Sequence, residues 1–225
     1  MKKTNPNYDD TNPRIISLFN SVSRLYKQDN LNSGNIEMIA SSIQIINHEF
    51  ELRKYKKGII YCEKSLSILY SKMADLSHDV HDSIEYLKIA LGYIFQAYDR
   101  ANSIDYKQPS LPKRLGVIKY KLADSYHKVA LHYEANQMMR ESLSILHATV
   151  NEFPSYTEAL LEYSQAQLLK LKWEINKLNF HLDAKKSHLF MGKRSSKSRL
   201  SSTEYLDQIN HLQSTIMMVN ACLNQ

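Results

Sequence analysis

Glycine and proline are scarce in this chain, with five of each in 225 residues. A β-sandwich or barrel of that length turns many times and needs far more turn residues, so the scarcity favours an all-α chain. Long apolar runs are missing too. Nothing approaches the roughly 18 residues of a membrane-spanning helix. The opening Met-Lys-Lys-Thr-Asn-Pro leads into polar residues, not the apolar core of a signal peptide. The sequence therefore reads as intracellular, with no membrane contact. Only two cysteines occur, Cys62 and Cys222, in no CxxC and within apolar helical patterns. Two small buried hydrophobes are favoured over a redox pair. The single tryptophan, Trp173, reads as core or seam filler, and the fifteen tyrosines as seam residues rather than base-stacking platforms.

Catalytic signatures are also lacking. Gly192-Lys193 has neither the upstream glycine nor the flanking strand of a phosphate-binding loop, and there is no GxSxG, HExxH or paired cysteine cluster. The expectation is a non-enzyme with no cofactor. The nearest approach to a metal site is Asp75, His78, Asp79, His81 and Asp82, where His78 and His81 are spaced to share a helical face. Aspartates collect at breaks between helices by local hydrogen bonding, so capping is the favoured reading and no metal is expected. His127 and His132, five apart, are read as not facing a common ligand.

What is present is a composition of 43% hydrophobic and 23% charged residues, enough for a sizeable core in a soluble chain. The net charge of +6 is uneven. Residues 1–112 hold fourteen Lys/Arg against thirteen Asp/Glu, and 113–225 hold fifteen against ten. Six cations and no acid fall between Lys185 and Arg199, which equals the whole excess. The remainder reads as nearly neutral, arguing against a broad nucleic-acid-binding face.

Periodicity and turn signals divide the chain into a loose arm, 1–12, a helical array, 13–190, a basic Ser-rich loop, 191–202, and a last helix, 203–225. Within the array, helices are expected over Pro13–Lys27, Ile36–Leu52, Tyr55–Leu76, Ser83–Asn102, Lys113–His132 and Glu134–Val150. Another starts at a Ser155/Glu158 capping box and runs to Leu171; whether it continues through Trp173 to Leu189 stays open. Asp82 with Glu85 offers a second capping box, and Gly58 and Ser65 are expected as close-approach positions. In the last helix Tyr205, Ile209, Leu212, Ile216, Val219 and Leu223 alternate four and three apart, a seam for one partner helix. Docking within the array is favoured, its far end left for a following repeat or partner.

Leu122, Ala123 and Tyr126, followed by Ala135, Met139 and Ser142, stand at the spacings of the tetratricopeptide helical hairpin. Small residues at these places let antiparallel helices approach and large ones fill the seam. Ala90, Ile94 and Ala97 repeat the second-helix spacing. The chain resembles that superfamily, which implies a right-handed solenoid of antiparallel hairpins, here of about eight or nine helices. In such arrays the first helix of each unit lines the concave surface, where Tyr120, Asp124, His127 and Lys128 would form a partner-binding groove. The chaperone-binding members use a Lys/Asn clamp for a terminal carboxylate. Tyr120 and Asp124 stand at two of its positions, so that ligand is disfavoured.

A narrower resemblance covers roughly Ile36 to Leu189. It rests on the turn Arg53-Lys54-Tyr55-Lys56-Lys57, the long helix with Ala90 and Ala97, the stretch from Arg114 to Tyr126, and Glu152-Phe153-Pro154-Ser155 with Leu168-Leu169-Lys170-Leu171-Lys172. In this order of elements the chain resembles the meiotic sporulation/zipper tetratricopeptide family, the scaffold of the synapsis and crossover machinery. It departs from that family's pattern at Gly58 and at Ile45-Ile46. The resemblance implies a nuclear, chromosome-associated scaffold of which this chain would be a portion; without it, a cytoplasmic adaptor is expected.

The reading is a non-catalytic scaffold whose protein partner offers a helical or extended segment. The second-ranked use is weak nucleic-acid binding through residues 185–199. Lys193, Arg194, Lys197 and Arg199 suit phosphates without base specificity, and Ser195 and Ser196 beside them suit phosphorylation.

Overall fold

A computed structural model describes residues 32–190, with 182–190 as helical backbone only, and the isolated positions Ser17 and Asn210. Apart from those two positions, the arm 1–12, the expected helix Pro13–Lys27, the loop 191–202 and the last helix 203–225 lie outside the described residues. Within them the chain is all-helical, with no strand: α1 (Ser33–Leu52), α2 (Lys56–Leu76), α3 (Val80–Asn102), α4 (Ser110–Lys128), α5 (His132–Glu152) and α6 (Thr157–Phe190). Two compact units are formed, residues 1–138 and 139–225, with the division inside α5.

The helices α1 and α3 start earlier than expected because short polar side chains cap them ahead of the apolar pattern. α1 opens at Ser33, three residues before Ile36, because the Asn32 side chain accepts a hydrogen bond from the Asn35 N–H at 2.9 Å. α3 is capped by Asp79, which accepts from the His81 N–H at 2.8 Å. The capping role assigned to Asp82 is therefore corrected, and Asp82 lies in the first turn. α4 opens at Ser110 with Pro112 inside its first turn, where a missing N–H costs nothing. α6 begins at Thr157, so Ser155 belongs to the preceding turn, and the helix runs without a break for 34 residues.

Helix ends explain how so few glycines suffice. α1, α3 and α4 all close with the same pair of bonds. The Lys54 N–H donates to the Glu51 carbonyl and the Tyr55 N–H to the Phe50 carbonyl, each at 2.9 Å. Asp105 and Tyr106, and then Ala130 and Leu131, repeat this arrangement. It is the Schellman termination, whose penultimate residue must be left-handed and is usually glycine. Here Lys54, Asp105 and Ala130 take that place with φ of 55°, 50° and 62°. The large residue that follows packs back on the helix, as Tyr55 does on Phe50 with ring centroids 5.3 Å apart. At Gly58 a Cβ would stand 2.7 Å from a Phe50 ring carbon, so only glycine lets α2 start beneath this aromatic cap.

In the first unit α2 is the central helix. α1 and α3 pack on it, and α4 packs on α3. Ile36, Ile43, Ile46, Cys62, Leu66 and Leu69 form the core with Tyr70, Tyr86 and Tyr93 around it. Lys64 Nζ donates to Ser110 Oγ at 2.8 Å, and Lys121 Nζ to Ser71 Oγ at 3.4 Å. Both contacts advance together along the sequence, so α2 and α4 run parallel. Ala90, Ile94, Ala97, Ala123 and Ala135 are buried as the repeat spacing expects. Ser65 is corrected: it is half-buried and its hydroxyl donates to the Tyr61 carbonyl, while Ser67 and Ser71 are the buried small residues.

Glu63 of α2 is 3% exposed and accepts from Arg100 of α3 at 2.9 Å. Burial pushes its carboxyl above the usual carboxylate range, although Arg100 pulls it down. In the second unit Met139, Ser142 and Leu146 of α5 and Ala159 and Ala166 of α6 are buried, and the His147 and Tyr163 rings lie 5.6 Å apart across the connecting turn.

Two outcomes follow. Ala130→Gly removes the left-handed strain at a chain reversal and should stabilise by about 1 kcal/mol in chemical unfolding. Arg100→Ala strands a buried carboxylate and should destabilise by about 3 kcal/mol at pH 7, the low end for a broken buried pair. A raised carboxyl contributes stability at low pH that is lost as pH rises through its folded value. The penalty relative to wild type should therefore shrink toward pH 5. A pH-independent penalty would show that Glu63 carries no charge in the folded protein.

Candidate functional site

Where α2 and α4 run side by side, their outer residues form two strips. On α2 these are Lys57, Tyr61, Lys64, Ile68, Lys72 and Asp75, spaced three and four apart on one helical face. Lys64, Ile68 and Lys72 are half-buried, with apolar stems able to cover the helix while the charged ends reach water. On α4 Tyr120, Lys121, Asp124 and His127 are half-buried, and Lys128 is exposed. Lys121 Nζ reaches Asp75 at 2.6 Å, tying the strips together. Lys57 stands over the Tyr106 ring at 5.2 Å from its centroid.

The charges sort by helix. α2 and α4 together carry nine Lys/Arg and three Asp/Glu; α1 and α3 carry two and six. Among the three acids of the basic pair, Glu63 is turned to Arg100, Asp75 is bonded to Lys121, and Asp124 to Lys128 at 2.7 Å. The near-neutral body expected from the sequence is thus neutral by cancellation between different helices. Counting by halves of the chain averaged the basic helices with the acidic ones; counting by helix would have found Lys64, Lys72 and Lys121.

The four expected groove residues all lie on α4, and Asp124, His127 and Lys128 make local contacts there. Asp124 bonds Lys128 within the helix. His127 meets His132, ring centroids 5.1 Å apart and edge to face. The two rings meet because the left-handed turn at Ala130 folds the start of α5 back over the end of α4. Burial is the first cause that lowers His127 below the ordinary histidine range, and His132 adds to it against the pull of Asp124.

Of the residues weighed for a metal, Asp75 is bonded to Lys121 and Asp79 caps α3. No group of three or more His, Cys, Asp or Glu is placed to hold a metal ion among the described residues. No described helix is long and apolar enough to cross a membrane. Lys193, Arg194, Ser195, Ser196, Lys197 and Arg199, and the seam residues Ile209, Leu212, Ile216, Val219 and Leu223, lie outside the described residues. Lys185 and Lys186, at the start of the basic stretch, belong to α6. No protein-family model, curated protein or solved structure matches this chain.

The histidine pair gives a direct check on this geometry. In an NMR titration His127 should protonate below about 6.5, the ordinary value. His132→Asn should move it up and Asp124→Asn down. Because the folded value is depressed, its contribution to stability is present above the ordinary value and lost as pH falls through the folded one. A His127 that titrates above its ordinary value would contradict the pairing.

Proposed function

We propose that this chain is a non-catalytic protein-binding scaffold, a right-handed array of helical hairpins. Its α2/α4 face receives an acidic, partly apolar segment of a partner protein, helical or extended. The observation that carries the reading is the segregation of charge: nine cations against three acids on two helices held side by side, with all three acids engaged by neighbouring cations. Tyr61, Ile68 and Tyr120 interleave with the lysines, so the face offers apolar contact as well as charge. Such a face attracts acids at long range and discriminates by sign, while the apolar residues supply affinity that survives salt.

The test is fluorescence anisotropy of the full chain with designed amphipathic peptides of equal length, acidic or basic on the polar face. Acidic peptides should bind, and Lys64→Glu with Lys72→Glu should weaken them at least tenfold, about 1.4 kcal/mol. Equal binding of both peptide classes would remove the reading. Mixed-sequence DNA binding more tightly at physiological salt, with a steep salt slope lost in the same variant, would move the face to nucleic acid.

A further inference from the structure

At the start of the α2/α4 pair, two cations from different helices come together around one hydroxyl. Lys64 Nζ of α2 donates to Ser110 Oγ of α4 at 2.8 Å, and Lys121 Nζ of α4 donates to Asp75 of α2. Both contacts span 46 residues, so the parallel helices keep one register between them. That register sets Ser67 and Ile68 of α2 level with Lys113 and Arg114 of α4. Arg114 follows Ser110 by four residues, one turn along the same face, and helical side chains lean back toward the N-terminus. Its guanidinium is therefore directed at the Lys64–Ser110 contact. Arg114 is half-buried, and no hydrogen bond or ion pair holds it among the described residues. The acids of the two helices lie elsewhere: Glu63 is turned to Arg100, while Asp75 and Asp124 bond lysines nearer the other end.

A second observation points to the same place. Ser67 is 0% exposed, and its hydroxyl meets no hydrogen-bond partner. It stands between Lys64 and Ser71, the two α2 residues that bond across to α4, so it belongs to the strip that faces α4. A buried hydroxyl in that state has lost its hydration and gained no bond in exchange. The backbone at the start of α4 is already engaged. Pro112 has no N–H, and the Leu111 and Lys113 N–H groups donate to the Gln108 and Pro109 carbonyls. The donors are thus side chains: the Lys64 ammonium, the forked N–H groups of Arg114, and the hydroxyls of Ser67 and Ser110. Paired cations with hydroxyls beside them exceed what one carboxylate needs. They match a phosphate monoester, which brings close to two negative charges and three strong acceptor oxygens. We infer that the acidic segment received by the α2/α4 face is anchored here by a phosphorylated serine or threonine side chain. Lys64 exchanges Ser110 for the phosphate, Arg114 binds it through two N–H groups, and Ser67 donates its hydroxyl. This inference rests on the reading of the α2/α4 face and adds the chemistry of its anchor.

The test uses the full chain and one acidic amphipathic peptide in two forms, with phosphoserine or with glutamate at a single central position. In fluorescence anisotropy the phosphopeptide should bind about tenfold more tightly. Arg114→Gln should abolish that margin and leave the affinity of the glutamate form within about twofold. Ser67→Ala should cut the margin about threefold or more, while the melting temperature holds or rises because an unpaired buried hydroxyl is gone. That combination separates loss of a ligand bond from loss of folding. Lys72→Glu, further along the strip, should weaken both forms alike and keep the margin. Equal affinity of the two forms for the unaltered chain, or a margin that survives either Arg114→Gln or Ser67→Ala, would overturn the anchor and leave the acidic-segment reading standing. If neither form binds, the reading of the face falls and the anchor falls with it. Inorganic phosphate that displaces the phosphopeptide when added at the peptide's own concentration would give the pocket to the free ion and overturn the phosphopeptide assignment.

Discussion

The burial of α2 on several sides is the constraint on which the first unit depends. A surface helix needs one apolar stripe, but α2 meets α1, α3 and the parallel α4, and its buried residues run round most of its circumference. Large side chains cannot fill every direction at packed-helix separations, so small ones recur: Gly58, Cys62, Ser67, Ser71 and Ala74. Leu66 and Leu69, each buried, supply about 1.5–3 kcal/mol apiece. The same crowding forces Glu63 into the interior, where it is tolerable only because Arg100 of α3 reaches it.

Much of this was legible in residue size. Ala90, Ile94 and Ala97, then Ala135, Met139 and Ser142, stand where close approach requires small and medium residues, and all are at most 1% exposed. Helix cores followed from apolar spacing because burial selects those positions directly. Helix ends did not. A left-handed termination normally announces itself as glycine, but Lys54, Asp105 and Ala130 accept the strain, so no local signal marks the reversal. Asn32 and Asp79 cap from outside the apolar pattern, which is why α1 and α3 begin before their first apolar core residue.

The candidate site was legible only in part, for a related reason. Its α4 half follows from hairpin register, which singled out Tyr120, Asp124, His127 and Lys128. Its α2 half depends on which helices lie side by side, and pairings such as Lys64 with Ser110 span 46 residues. Periodicity within a helix carries no information about that. His127 and His132 illustrate the limit at short range: five residues apart would place them on different faces of one helix, but a chain reversal between them brings the rings together.

Alternation of charge with helix order then has a structural logic. With acids concentrated on α1 and α3 and cations on α2 and α4, these four helices separate charge by helix while staying nearly neutral together. Neutrality limits self-repulsion in the folded state, and separation preserves a local field. The bonds from Lys121 to Asp75 and from Lys128 to Asp124 neutralise part of the basic strip from within, at its end near the α4–α5 turn.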